Sequence, residues 1–523
     1  MRNAHRAIVA AAAMACFLCA APARAGEVIV VDGDHAERVN DPAVPTREEV
    51  RLGRTLRPPR ARAAAAARRA HRPRRTSRPR RVRAKAAARR ADRRAVYRAL
   101  KRANRGRRAA RIGARAQRRW RHGYVRSLRT YRRLSGARRD QLGYVIDSVE
   151  ALALSGRLTR TRMPVAFLQL ERNRRYWRAL PYPASGDQVS FRGSEILFQY
   201  FPGRGLQLHP LSTFKKANNM HGACERRERA CDPAGLRRLL DEMVGLAVRR
   251  SSRFIAWEYM FEFGGGAPPW MSGMAQATGI QAFGRAAGLL DEPRYLDVAR
   301  GALGAFTTRP PTGVRTVGPR GGVHYLQYSF APRLYIFNAF LQSLIGLYDF
   351  GRLAGDERAQ ELYREGEPEA RREVPLSDVG DWSLYSYAGA ESNHDYHELL
   401  RELLQSMCAR RLGALYCDYA ARYRSYQVDP PELVYAGPAL GAAREWLSLR
   451  FRVSKLSAVE VKVYRGSKLV FARLATFRRG VGAFAWRPPA PGRFTVRLAA
   501  KELRTGLGKK DRASAQIEVE PAL

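Results

Sequence analysis

Apolar and polar positions follow two different periods in two parts of the chain, and each period predicts its own kind of element. From Gln141 to about Tyr426 apolar residues return every third or fourth position, the mark of helices buried on one side. The clearest helices are Leu142–Leu158, Leu236–Val248, Met274–Leu290, Pro293–Phe306, Leu334–Phe350 and His397–Leu415, while Met163–Leu180 reads as helical or irregular. In the Leu334 helix, Leu334, Phe337, Leu341, Leu344 and Tyr348 mark one face; Asn338, Gln342 and Asp349 exclude a membrane span. Gln188–Phe201 alternates on both sides of Gly193 and predicts a hairpin. After Pro430-Pro431 the period changes to two. Short alternating runs at 447–453, 458–463, 469–474, 482–486, 493–498 and 515–519 are separated by turn residues such as Arg465-Gly466 and Pro491-Gly492. The expected fold is therefore mainly α. Helix–loop–helix pairs with aromatic, Gly-rich loops form an α/α toroid over 140–430, with a short β-hairpin region. A small all-β, immunoglobulin-like sandwich follows over 443–523.

Charge adds a third region. The formal net charge is +48 in 523 residues, but residues 51–133 hold 34 Lys and Arg against one acid, Asp92. Ala and Arg dominate from Val82 to Ala114, with Val96, Tyr97 and Leu100 as the few apolar anchors. Helix propensity there is high and core material scarce, so 26–135 is expected to be a basic arm, disordered or partly helical. An Arg-rich arm first suggests nucleic acid. Its few aromatic residues do not form the regular interleaving that stacks bases, and the N-terminus points to export. Arg2 and Arg6, the apolar Ala7–Ala21 and Ala23-Arg24-Ala25 form a secretory signal over 1–25. The expected location is secreted or cell-surface, with no transmembrane segment after cleavage. The arm then reads either as a solvated linker or as a tether to anionic cell-envelope polymers. Export also fits the cysteines. Four remain after the leader, and their short separations suggest Cys224–Cys231 and Cys408–Cys417 disulfides, with four free thiols as the alternative.

The common catalytic constellations are absent: no Gly-x-Ser-x-Gly, no His-Glu-x-x-His, no phosphate loop and no dinucleotide fingerprint. Gly264-Gly-Gly266 runs into Ala-Pro-Pro-Trp and reads as a loop. Glu258 and Glu262, four apart, read as the solvated side of a helix rather than as a glycosidase pair. What stands out is tyrosine. Tyr325 and Tyr328 precede the Leu334 helix, and Asp381–Leu400 gathers Tyr385, Tyr387 and Tyr396 with His394 and His397. A phenol titrates near pH 10 in water and works as a base at neutral pH only where cations or hydrogen bonds depress it.

Two longer motifs give these tyrosines a context. Pro269-Trp-Met-Ser-Gly-Met-Ala-Gln276 and Phe337-Asn-Ala-Phe-Leu-Gln-Ser-Leu-Ile-Gly-Leu-Tyr-Asp349 resemble signatures of the D-glucuronyl C5-epimerase C-terminal domain. Leu384-Tyr385, Asp395-Tyr-His397, Gly205–Leu211 and Lys216-Ala-Asn218 are similar to further elements of that family. The resemblance implies inversion of C5 of glucuronic acid to iduronic acid within a uronic-acid-containing polysaccharide, by proton removal on one face and return on the other. It implies Tyr328, Tyr385 and Tyr396 as catalytic residues. Trp270, Ser272, Gln276, Gln327, Asn338, Tyr387 and His397 are implied substrate contacts. No cofactor and no metal are implied, because only a proton moves. Two departures stand out. Gln327 occupies the place of a Glu in animal members, and the Arg shortly after the second tyrosine is missing, leaving Arg333 or Lys216 as substitutes. A uronate lyase, or a cell-surface glycan-binding protein without turnover, are the alternative readings.

Overall fold

The computed structural model describes residues 26–46, 78–105, 112–251 and 254–522; the signal segment and 47–77 lie outside the described residues. The chain divides into two compact units, Met1–Ala370 and Arg371–Leu523. That division falls inside the expected helical region and not at Pro430-Pro431. The reason is local to the second unit, where Lys455 of the β-rich part donates to the carbonyls of Ser425, Tyr426 and Asp429 at 3.3, 3.0 and 2.7 Å. The last helices are thereby tied to the sandwich that follows them.

In the first unit, β1 (Gly26–Asp32) and β2 (His35–Asp41) form a hairpin. Then come α1 (Arg78–Ala103), α2 (Ala114–Arg133), α3 (Gly136–Leu154) and α4 (Met163–Ala179). Short strands β3 (Gln188–Phe191), β4 (Phe198–Phe201) and β5 (Gly205–Leu208) complete a sheet of order β2-β1-β3-β4-β5. The hairpin expected around Gly193 is the antiparallel β3–β4 pair, with Gln188 opposite Gln199. β1 runs parallel to β3.

The segment expected as an arm is more ordered than its composition implied. Val96 and Leu100 of α1 and Tyr124 of α2 are buried. The Tyr124 hydroxyl is hydrogen-bonded to Glu150 of α3, and Trp120 stacks on Phe167 of α4 with centroids 5.5 Å apart. Apolar residues spaced four apart are enough to seat a helix when a neighbour supplies the rest of the core, and the arginines stay in water.

The unit continues through α5 (Pro210–Glu225), α6 (Pro233–Leu246), the two-stranded β6 (Val248–Arg250) and β7 (Phe254–Ala256), and α7 (Gly273–Leu289). Next are α8 (Arg294–Ala302), α9 (Gly304–Thr307), the β8 (Arg315–Val317) and β9 (Val323–Tyr325) pair, α10 (Phe337–Leu353) and α11 (Glu357–Glu373). Helix α7 is buried nearly all round and is built largely from Ala, Gly and Gln. Those small residues let neighbours come close. A Cβ on Gly279 would meet the Phe214 ring of α5 at 2.7 Å, and one on Gly346 of α10 would meet the Ala277 carbonyl oxygen at 2.5 Å. The two expected disulfides, Cys224–Cys231 and Cys408–Cys417, are formed.

In the second unit, α12 (His394–Ala409) ends before Gly413 rather than running to Leu415, and α13 (Ala414–Val428) packs against it. Eight strands follow: β10 (Leu433–Tyr435), β11 (Leu440–Ala442), β12 (Leu447–Val453), β13 (Ser457–Arg465), β14 (Lys468–Phe477), β15 (Gly480–Trp486), β16 (Gly492–Glu502) and β17 (Lys510–Glu520). All six alternating runs lie in these strands. They form one sheet of order β10-β12-β15 and another of order β11-β17-β16-β13-β14. Inward residues such as Leu449, Phe451, Val461, Trp486, Phe494 and Ile517 make a single core. Among the described residues no helix is long and apolar enough to cross a membrane.

The packing around α7 predicts opposite outcomes for two glycines. Gly346→Ala, whose methyl would meet the Ala277 carbonyl, should lower stability by about 1–3 kcal/mol. Gly288→Ala, an exposed helical position with nothing within 4 Å, should raise it by about 0.5–1 kcal/mol. Urea midpoints of the purified variants check both signs.

Candidate functional site

The motif residues of the first unit build the approach to α7. Tyr259 and Trp270 form an antiparallel bridge, with N–H···O distances of 2.8 and 3.2 Å, and their rings stack with centroids 4.1 Å apart. Trp270 also donates its indole N–H to the Phe261 carbonyl at 2.7 Å. Ser272 caps α7 by accepting from the Ala275 N–H at 3.1 Å, and its hydroxyl donates to Gln327 Oε1 at 3.2 Å. Gln276 holds both backbone groups of Trp257, at 3.2 and 2.9 Å. Met271 and Ser329 exchange hydrogen bonds at 3.0 and 3.1 Å, and the Gly273 N–H reaches the Leu326 carbonyl at 3.1 Å. Tyr328 is thus carried on a segment laced to the start of α7. Its buried ring lies 5.7 Å from Phe263, 5.6 Å from Trp270 and 5.3 Å from Phe330. Trp270 thus packs against Tyr328, while Ser272, Gln276 and Gln327 brace the segments on either side of it. Asn338 is buried in the first turn of α10.

One charged group here escaped the sequence reading. Glu258 lies on no helix and is buried, accepting from Arg162 at 2.6 and 2.8 Å and from Arg250 at 2.7 Å. Arg250 in turn donates to the carbonyls of Thr312 and Pro311, at 2.7 and 2.5 Å. Two guanidiniums on one carboxylate make a structural clamp, not the solvated pair with Glu262 expected from their spacing. The only sequence signal was an acid set directly beside Trp257.

In the second unit Tyr385 and Tyr396 are neighbours, with ring centroids 4.6 Å apart. Tyr396 sits in the first turn of α12, whose cap is Asn393 accepting from the Tyr396 N–H at 2.9 Å. Tyr385 begins a tight loop closed by its own N–H to the Ala390 carbonyl at 3.0 Å, with Tyr387 exposed near the tip. His397, one residue beyond Tyr396, is buried and meets different partners. It stacks on Trp382 at 3.7 Å, its Nε2–H donates to the Tyr423 carbonyl at 3.0 Å, and Nδ1 accepts from the Ser383 hydroxyl at 2.8 Å. Burial pushes its imidazole down to about 4. It is a neutral, fully engaged ring that anchors the loop.

The same loop is gripped from the sandwich. Arg504, after β16, donates to Asp381 at 2.7 Å and to Glu391 at 2.9 Å and lies 5.4 Å over the Trp382 ring. Arg478 adds a second contact to Glu391 at 2.9 Å.

Residues 250–425 match the family described as the D-glucuronyl C5-epimerase C-terminus. This stretch belongs to that family. A D-glucuronyl C5-epimerase of Caenorhabditis elegans is 34% identical over 130 residues, which are 23% of this chain and 21% of that protein. An uncharacterized protein of Methanocaldococcus jannaschii is 27% identical over 177 residues, 33% of this chain and 58% of that protein. The chain thus spans less than two thirds of either relative. A cellobiose 2-epimerase from Spirochaeta thermophila aligns over 55% of this chain and 73% of its own, at 14% identity and a TM-score of 0.33. An overlap that slight fixes neither fold nor activity.

Within the C5-epimerase segment, Pro269–Gln276 leads into α7 and Phe337–Asp349 lies within α10. Of the two substitutes for the missing Arg, Lys216 is buried and ion-paired to Glu195 at 2.8 Å and Asp41 at 3.4 Å, whereas Arg333 is exposed. Among the described residues no group of three or more His, Cys, Asp or Glu is arranged to hold a metal ion.

Two outcomes follow for the loop. Removing Arg504 as Arg504→Met takes the ion-pair partner from buried Asp381 and leaves Glu391 with Arg478 alone; it should cost roughly 3–5 kcal/mol and speed amide exchange over 383–391, and unchanged exchange there would remove its role as an anchor. For His397, the unfolded ring takes up a proton near pH 6.5, while the folded ring resists to about pH 4. Its contribution is complete above the first value and is lost as pH falls toward the second, on the order of 3 kcal/mol in all. His397→Asn should flatten the acid side of the stability profile between those limits.

Proposed function

We propose that the chain is a secreted polysaccharide epimerase that inverts C5 of D-glucuronic acid residues to give L-iduronic acid. The observation that carries the reading is the family match over 250–425, with its two long motifs placed at the start of α7 and along α10. In this reading the helices form an α/α toroid, and the eight-stranded region is an immunoglobulin-like module. The proton α to the uronate carboxylate is removed by one tyrosine and returned to the opposite face by another, drawn from Tyr328, Tyr385 and Tyr396. A phenol suits both tasks: it holds one proton near a sugar carbon while its ring packs on the pyranose face. The intermediate is enediolate-like, so its charge needs donors held in advance. Gln327 contributes an amide where a carboxylate would repel that charge. The basic N-terminal region keeps the enzyme against anionic envelope polymers.

A second reading is favoured by one specific feature. No Arg follows Tyr385 closely, and Lys216 is already committed to two acids. A protein that retains the uronate cleft without turnover would show the same pattern.

Tyr328→Phe and Tyr396→Phe separate the two. Each removes one hydroxyl, so C5–H exchange with solvent should fall by at least about 100-fold while polymer retention and melting temperature stay at wild-type values. Undiminished exchange in both variants would sink the tyrosine assignment.

A further inference from the structure

The sandwich carries a surface that no role assigned so far explains. Side chains of the β10-β12-β15 sheet alternate between core and solvent, and the solvent side is not the usual mixture of charges. On β12 it bears Arg450 and Arg452, and Trp446 stands just ahead of that strand. On β15 it bears Ala483 and Ala485, paired across the ladder with Arg450 and Ser448. Arg487 follows at the end of β15, its guanidinium donating to the Arg444 carbonyl beside Trp446. The three strands contain no Asp or Glu.

Trp446 is the decisive residue. It is 71% exposed, the most exposed large hydrophobic side chain among the described residues. Leaving an indole in water forgoes the burial that stabilises its neighbour Trp486 in the core, so its exposure calls for an occupant. The alanines of β15 keep the surface beside it low and flat. Arg450 and Arg452 rise from the same face about 7 Å apart, the spacing of alternate residues on a strand. Neither has an acidic partner among the hydrogen bonds and ion pairs of the described residues.

A flat indole offers a face to a sugar ring, and planar guanidiniums accept carboxylates two oxygens at a time. We propose that this sheet face is a docking surface for an anionic, carboxylate-bearing polysaccharide, with a pyranose ring on Trp446 and uronate carboxylates on Arg450 and Arg452. The positive charge of the face and the absence of acids on its strands select an anionic partner. The indole beside a shallow platform selects one with flat, partly apolar rings. The surface holds polymer whether or not the tyrosines turn it over, so it can fail while the epimerase reading stands, and the reverse.

The test uses the full-length secreted protein and polyglucuronate, with dextran as a neutral glycan and oligo(dT) as a different polyanion. Hydroxyl-radical oxidation of Trp446, read by mass spectrometry, should fall severalfold with polyglucuronate and stay unchanged with dextran or oligo(dT). Because the basic N-terminal region also attracts polyanions, retention is compared at about 0.5 M salt, where loose attraction is screened. There Trp446→Ala should weaken retention about tenfold, and Arg450→Ser with Arg452→Ser should weaken it and flatten its salt dependence. Melting temperatures should not change, because all three side chains point into water. Oxidation of Trp446 indifferent to polyglucuronate, equal protection by oligo(dT), or wild-type retention by Trp446→Ala would each overturn the proposal.

Discussion

A helix with almost no solvent-facing side governs the first unit. Helix α7 has to be small where Phe214 of α5 and Gly346 and Phe350 of α10 cross it, and that requirement explains much of its run of Ala and Gly. It also explains the glycine at 346 of α10, where a Cβ would come within 2.5 Å of the Ala277 carbonyl oxygen. Such a helix cannot shift without displacing its neighbours. Its N-terminus is correspondingly fixed, and the residues held there are the motif residues. Ser272 caps the helix, Gln276 pins Trp257, and the segment carrying Tyr328 is laced to Met271 and Gly273. Rigidity in the core is thereby passed to one phenol.

The second unit reaches the same end by different means. Tyr385 and Tyr396 lie on a loop and a first helical turn, elements that are mobile unless restrained. The restraints are a stacked, neutral His397 on one side and the Arg504 fork with its two acids on the other. The β-rich part of this unit therefore supplies an arginine to the loop that bears Tyr385, next to Tyr396.

What was legible in the sequence depended on how locally each feature is encoded. Six of the eight strands were visible because alternation over seven to eleven residues carries its own register, whereas β10 and β11, three residues each, are too short to show it. Helices α7 and α10 were visible because their apolar periods are dense and their motifs long. Partial helix in the region of α1 was legible from its Ala/Arg propensity, but the packing of α1 and α2 was not, because their few apolar residues become a core only against α3 and α4. The Glu258 clamp was hidden for the same reason, since one of its arginines lies 96 residues away. His397 illustrates a different limit: one position on from Tyr396, it lies about 100° round the helix, and only the structure reveals the Trp382 stack through which it anchors the loop.

Wild-type protein incubated with a glucuronate polymer in deuterated water tests the central claim most directly. Nuclear magnetic resonance of the recovered polymer should show deuterium at C5, iduronate signals growing in step with it, and an unchanged chain length. Unsaturated, ultraviolet-absorbing ends would mean elimination instead of inversion. Bound but unlabelled polymer would mean that the fold has kept its glycan without the chemistry.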